Sequence, residues 1–316
     1  MAATTAGAAA VPRTRTRKRR RSAKAKRDFF WGLVFTSPAI IGLLWFTAYP
    51  VLASLYYSFT NYTMVGKHTS WIGFTNYVDL IHDPTWWSSL WNTFYIVILS
   101  VPIGIIVALV LALLLNLKVR GQSIYRTIFF LPTIVPIVAS AVVWSYVFDP
   151  QYGALNSALH SIGITGPGWL ADPKWAKPAL IIFGAWGVGN LMVIMLAGLQ
   201  DVPRELHEAA AVDGAGVLTR FRAVTIPFLS PTLMFALVTG LIAGFQYFTP
   251  VFVLTGGAGT PAGSTLVSGL YLFQNAFQFF KVGYASAIAW VLFLLIAIIT
   301  AVTFRIVGRR VYYGGE

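Results

Sequence analysis

Glu208 to Pro227, EAAAVDGAGVLTRFRAVTIP, is a patterned polar segment set between two long apolar runs. Pro203 suits a helix's first turn, where its missing N–H costs nothing. Glu205 and Glu208 favour the positive end of the helix dipole. Ala209, Ala210 and Ala211 have high helix propensity and little bulk, and Gly214 is placed to end the helix. The stretch therefore predicts a short, smooth helix with acids on one side, held out from apolar surroundings. Such a helix admits close backbone approach by a groove on another protein. It also suits an ordinary cover over its own bundle.

The surroundings are a membrane. Of 316 residues, 57% are hydrophobic and only 10% are charged, against about a quarter charged in soluble domains. Six apolar runs approach or exceed the ~20 residues that a spanning helix needs. They lie at about 29–59, 90–117, 127–148, 178–199, 228–254 and 284–307. Pro38 and Pro50 interrupt the first run, predicting a kink or an interfacial piece. Pro102, Pro132 and Pro136 are candidate kinks in the next two. The expected organisation is a basic disordered tail at 1–28, a six-helix domain at 29–310 with the polar loop 200–227, and a short end at 311–316.

Charge orients the spans. The tail, 118–126, 200–227 and the end hold 19 of the 23 Lys and Arg residues. The alternate loops 60–89, 149–177 and 255–283 hold four Lys against four Asp, a net charge of zero. By the positive-inside rule both termini and the Glu208 loop are cytoplasmic. The basic run Arg13–Arg27 is then a topology signal rather than a nucleic-acid site. Trp71, Trp86, Trp87, Trp91, Trp169 and Trp175 on the outer loops read as interfacial anchors.

Several chemistries lack material. No Asp, Glu, Lys or His lies within the six runs, although ion-coupled carriers usually keep an ionisable group at membrane depth. Cysteine is absent, so no thiolate site is expected. The turn at 255–265, TGGAGTPAGST, lacks the Gly-Lys-Ser/Thr ending of a phosphate loop. It reads as a flexible Gly/Pro turn. Energy for uphill transport must therefore come from a partner, and the Glu208 helix is the natural place for it to act.

The same residues carry a family resemblance. EAAAVDGAGVLTRFRAVTIPFLSP resembles the EAA loop of ABC importer permeases, and AGLQDVPRELHEAAAVDGA resembles their carbohydrate branch. YYSFTNY, WIGFTNYVDLIHDPTWWSSLWNT, YRTIFFLPTIVPIVASAVVW and GYASAIAWVLFLLIAIITAVTFR resemble other parts of that branch, so the likeness runs from about Phe29 to Arg310. It implies an all-α, six-span type I importer permease, not itself an enzyme, in a bacterial plasma membrane. Implied partners are a second, non-identical permease, two cytoplasmic ATPase subunits carrying ATP and Mg, and an extracytoplasmic sugar-binding protein. Glu208, Ala209, Ala210, Asp213, Gly214 and Pro227 correspond to the ATPase-coupling loop. The glycine-rich turn carries an insertion relative to the family's usual pattern.

A path without charges must recognise its solute by neutral polar and aromatic groups, which suits a sugar. Trp186, Gly187 and Asn190 in the fourth run, with Gly244, Gln246 and Tyr247 in the fifth, are the candidates. Gly187 and Gly244 would let a ring approach the backbone. The competing reading is that Asn190 and Gln246 tie helices together. A glycerol-phosphate or other polyol is the nearest alternative solute, and a secondary carrier or channel the alternative class.

Overall fold

The computed structural model describes residues 23–66, 68–117 and 120–312. Most of the expected basic tail, Lys67, Lys118 and residues 313–316 lie outside the described residues. Among those described there is no strand, only an isolated antiparallel bridge between Thr60 and Trp71. The chain divides into two compact units, 1–53 and 54–316.

The first unit holds α1 (Ala23–Leu43), a π-helical turn (Leu44–Ala48) and the start of α2 (Tyr49–Ser58). Pro50 cannot donate to the Phe46 carbonyl, and its ring crowds that oxygen. The backbone widens into the π turn just before it, so helical structure continues through Pro50. Pro38 is likewise carried inside α1.

The second unit is built on α4 (Pro84–Asn116), which follows the short α3 (Thr75–His82). Asp83 caps α4 by accepting from Thr85 N at 2.8 Å, and Pro84 takes a first-turn position. α4 is apolar throughout and carries Pro102 without a break. It packs against α8 (Pro173–Trp186), α9 (Gly189–Gln200) and α12 (Ile226–Phe245). Small residues set the spacing, as expected in lipid. Ala108 and Ala112 are fully buried. A Cβ on Gly240 or Gly244 of α12 would come within 3.0 Å of Val101 or Val97.

Among the described residues four helices are each long and apolar enough to cross a membrane, and two bent pairs bring the candidates to six. α5 (Gln122–Ile134) and α6 (Ile137–Val147) meet at 100°, α8 and α9 at 51°. Pro136 sits in the first bend. Its missing N–H leaves the Pro132 carbonyl without a helical donor. The fifth span ends at Phe245 rather than near Leu254. Gln246 to Phe248 leave the helix, and Pro250 opens the separate α13 (Thr249–Leu254). An apolar run has no mark where one helix stops and another starts. The last span is α15 (Val282–Val307).

Two expectations on the loops change. Trp86 and Trp169 are core residues, 2% and 8% exposed, while Trp71, Trp87, Trp91 and Trp175 stay at the surface. Trp169 donates Nε1 to Asn156 Oδ1 at 2.7 Å, and Asn156 Nδ2 donates to the Pro150 and Pro167 carbonyls. The loop around α7 (Ala154–Ser161) is thus pinned to that amide. The turn at 255–265 is tied down rather than loose. Gln274 donates to Gly257 O at 2.9 Å, Asn92 to Gly263 O at 2.9 Å and Leu266 O at 3.0 Å. Thr93 Oγ1 accepts from Ser268 N, the start of α14 (Ser268–Phe273).

Candidate functional site

Two features carry the sequence-predicted residues. The first is α10 (Arg204–Val212). Pro203 stands one place outside it as the N-cap, with φ −59° and ψ 129°. At the other end Gly214 has φ +79°. Ala215 N donates to Ala210 O at 2.9 Å and Gly214 N to Ala211 O at 3.1 Å. These two bonds close the helix in the glycine-terminated pattern that only a left-handed residue permits. Glu208, Ala209 and Asp213 are exposed and Ala210 is half-buried. Beside them Val212, Val217 and Leu218 are 89%, 77% and 60% exposed. α11 (Val217–Arg220) and a second π turn (Phe221–Thr225) then lead into α12. Pro227 stands just past that turn, repeating the arrangement at Pro50.

α10 covers a cavity of about 240 Å³ between the ends of α4 and α9, lined by Asn116, Val202, His207, Arg220 and Phe221 among others. The Nε of Arg220 is buried there without a protein partner.

The second feature is a cavity of about 290 Å³ where three helix breaks converge. The α5–α6 bend gives Pro132, Thr133, Val135, Ile137 and Ser140. The α8–α9 bend gives Phe183, Gly184, Trp186 and Gly187, and the α12–α13 break gives Tyr247. Among the described residues no carboxylate, amine, guanidinium or imidazole lines it. Trp144 holds Trp186 and Phe183 edge-on, with centroids at 5.8 and 6.0 Å. The Tyr247 hydroxyl is buried and has no protein partner.

Trp186, Gly187 and Tyr247 therefore come together, and the other three do not. Asn190 points to the surface from α9. Gln246 opens instead onto an apolar groove of about 800 Å³ between α12, α14 and α15. Gly244 serves the α4 contact: its bare side meets Val97, so no ring approaches there. Gly187 has open space, its nearest neighbour being Gly184 O at 3.7 Å from a built Cβ.

Thr133, Ser140 and Gly189 were not singled out by sequence. A Cβ on Gly189 would lie 2.6 Å from both Phe129 O and Thr133 Oγ1, so this glycine fixes how close α9 lies to α5. The signal for the first two was the pair Pro132 and Pro136, four residues apart, which marks a break with polar neighbours.

Residues 100–313 match the family described as "Binding-protein-dependent transport system inner membrane component". The probable ABC transporter permease protein YesP of Bacillus subtilis is 40% identical over 295 residues, 92% of this chain and 95% of that one. The lactose transport system permease protein LacF of Rhizobium radiobacter is 38% identical over 284 residues, 88% of this chain and 94% of that one. Among solved structures, one subunit of a bacterial ABC transporter that imports the acidic polysaccharide alginate superposes with a TM-score of 0.77 at 25% identity. That match covers 90% of this chain and 97% of the other.

Proposed function

This chain belongs to the family of binding-protein-dependent transport system inner membrane components, and from that premise we propose that it forms half the translocation path of an ATP-driven sugar importer. It has a transport role and is not an enzyme. A homologous, non-identical permease supplies the other half. Two cytoplasmic ATPases, which carry the ATP and Mg, dock at α10, and an extracytoplasmic binding protein delivers the sugar. The chain sits in a bacterial plasma membrane with both termini and α10 on the cytoplasmic side, the arrangement that the uneven charge of its loops favours.

The neutral cavity at the three breaks is the observation that carries this reading. A sugar presents hydroxyls that donate and accept, and C–H faces that lie against aromatic rings. Trp186 supplies a ring, Thr133 and Ser140 supply hydroxyls, and Gly187 leaves the backbone open. A buried hydroxyl without a partner costs about 1–3 kcal/mol, so a passing sugar hydroxyl satisfies the Tyr247 group and is held by it. Amino acids and phosphates would need a charged partner, which this lining lacks. Hinges form at loop and element-terminal residues, so motion transmitted from α10 through α9 and α12 can be absorbed at the breaks that line the cavity.

α10 suits the coupling role through its surface. Val212, Val217 and Leu218 form an exposed apolar fringe around the acidic Glu208 and Asp213. Such a fringe marks a face that another protein covers. The test is uptake by the reconstituted importer across neutral mono- and disaccharides. Tyr247→Phe is expected to raise the KM of the transported sugar about fivefold, the equivalent of one hydrogen bond. Trp186→Ala is expected to raise it further. Unchanged kinetics in both would remove the cavity from the path.

A further inference from the structure

A second polar cavity, of about 450 Å³, lies away from α10, between the 61–63 segment, α3, α14 and the start of α15. Its base is Asp83. Tyr271 OH and Tyr284 OH both donate to Asp83 Oδ2, the latter at 2.7 Å, while Oδ1 caps α4. That carboxylate is fully engaged, and it joins α4, α14 and α15 beneath the cavity.

The walls are less satisfied. Asn76 and Asn275 are 7% and 3% exposed. Asn76 gives its Nδ2 protons to Ser58 O and Thr60 O at 2.8 and 2.9 Å, and Asn275 gives one to Tyr271 O at 2.9 Å. Among the described residues no donor reaches either Oδ1, so these two side chains, held in place by their amide bonds, offer the cavity two acceptors. Asn61 is the mirror case: its Oδ1 accepts from Ser70 N at 2.7 Å, and among the described residues its amide protons meet no acceptor. Asp79 and Lys281 reach the same space, and neither has an ion-pair partner among the described residues. Tyr62 completes the wall. Its ring is stacked on Tyr57 at 4.5 Å and so presents one fixed face. The wall itself is rigid, with Gly283 N donating to Tyr62 O at 2.9 Å and Met64 N to Phe280 O at 3.2 Å.

The occupant that matches this lining is a small neutral carbohydrate. The lining offers acceptors (the two Oδ1 atoms and the exposed Asp79) and donors (Asn61 Nδ2 and Lys281) together with the aromatic face of Tyr62. Each sugar hydroxyl can serve both kinds at once. A metal ion would meet the Lys281 ammonium and a carboxylate already spent on two tyrosines. The volume falls within the range of small-molecule sites, roughly 300–1,000 Å³. We propose that this cavity is an entry station that holds a mono- or disaccharide at the outer mouth before it reaches the cavity at Trp186 and Tyr247. The proposal rests on the importer reading above.

The test uses the assembled permease pair with its ATPases in nanodiscs, without nucleotide and without the external binding protein. Saturation-transfer NMR is recorded with glucose, lactose, maltose and trehalose in turn, in a Trp186→Ala background that weakens the inner cavity. At least one sugar is expected to give a signal, reduced about fivefold or more by Asp79→Asn or Lys281→Met, as the loss of one or more hydrogen bonds requires. Both residues are exposed, so the fold should tolerate either change. No signal from any sugar, a signal that both variants leave intact, or one that appears only with the binding protein present would each overturn the station. Uptake measured in parallel separates the two claims. Wild-type ATP-driven sugar uptake with unchanged KM in both variants removes the station and leaves the importer standing. No uptake of any sugar by the complete wild-type assembly removes both.

Discussion

Gly187, Gly189, Gly214 and Gly244 stand in this chain for three different reasons. Gly214 is needed for its φ of +79°. Gly244 and Gly189 are needed for closeness, to Val97 and to the α5 backbone respectively. Gly187 faces open space in the cavity. Gly189→Ala is therefore expected to destabilise the protein by about 1–3 kcal/mol through overpacking, read as a lower melting temperature in detergent. Gly187→Ala should leave that temperature almost unchanged, because its nearest neighbour is at ordinary contact distance. Sequence identified Gly187 and Gly214 by their setting. It could not separate Gly189 from Gly187, since which glycine meets a neighbour depends on how helices cross. Asp83 adds a pH dependence. Burial raises its pKa, but the hydroxyls of Tyr271 and Tyr284 and the N–H groups of Thr85 and Trp86 outweigh burial and hold the carboxyl below its ordinary value of 3.8. A carboxyl depressed on folding stabilises the protein above its unfolded pKa, and that stability is lost as pH falls through the folded value. Acidification below about pH 4 should thus loosen the junction of α4, α14 and α15. Asp83→Asn should flatten that part of a melting-temperature profile against pH.

Among the elements, α10 was the most legible. Its alanines, early acids and terminal glycine are local signals, and local signals set a short exposed helix. Only its start moved, with Pro203 outside the helix rather than in its first turn. Breaks inside spans were less legible. Pro50 and Pro227 are accommodated by π turns, Pro102 rides inside α4, and Pro136 sits in a 100° bend. One residue type gives three outcomes because the neighbouring helices decide whether the freed carbonyl is tolerated. The prediction at this scale concerns force transfer. Glu208→Lys or Gly214→Val should abolish ATP-driven uptake while membrane insertion, followed by immunoblotting of the membrane fraction, stays normal. The Gly214 change also strains a left-handed position by about 1–3 kcal/mol. Full uptake in either variant would remove α10 from the coupling role.

At the scale of the molecule, the all-helical architecture and the count of up to six spans followed from composition, because twenty apolar residues have few other uses. What composition left out was the convergence of three breaks on one neutral cavity and the burial of Trp86 and Trp169 in the core. Those depend on long-range packing, and nothing within a single apolar run records it. The central claim is that this chain moves sugar only when α10 is driven by an ATPase. It is tested most directly in proteoliposomes loaded with ATP and containing the permease pair, supplied outside with binding protein and radiolabelled sugar. Accumulation above the external concentration is expected with the ATPases present, and none when they are left out. Equal sugar flux with and without the ATPases would contradict the account.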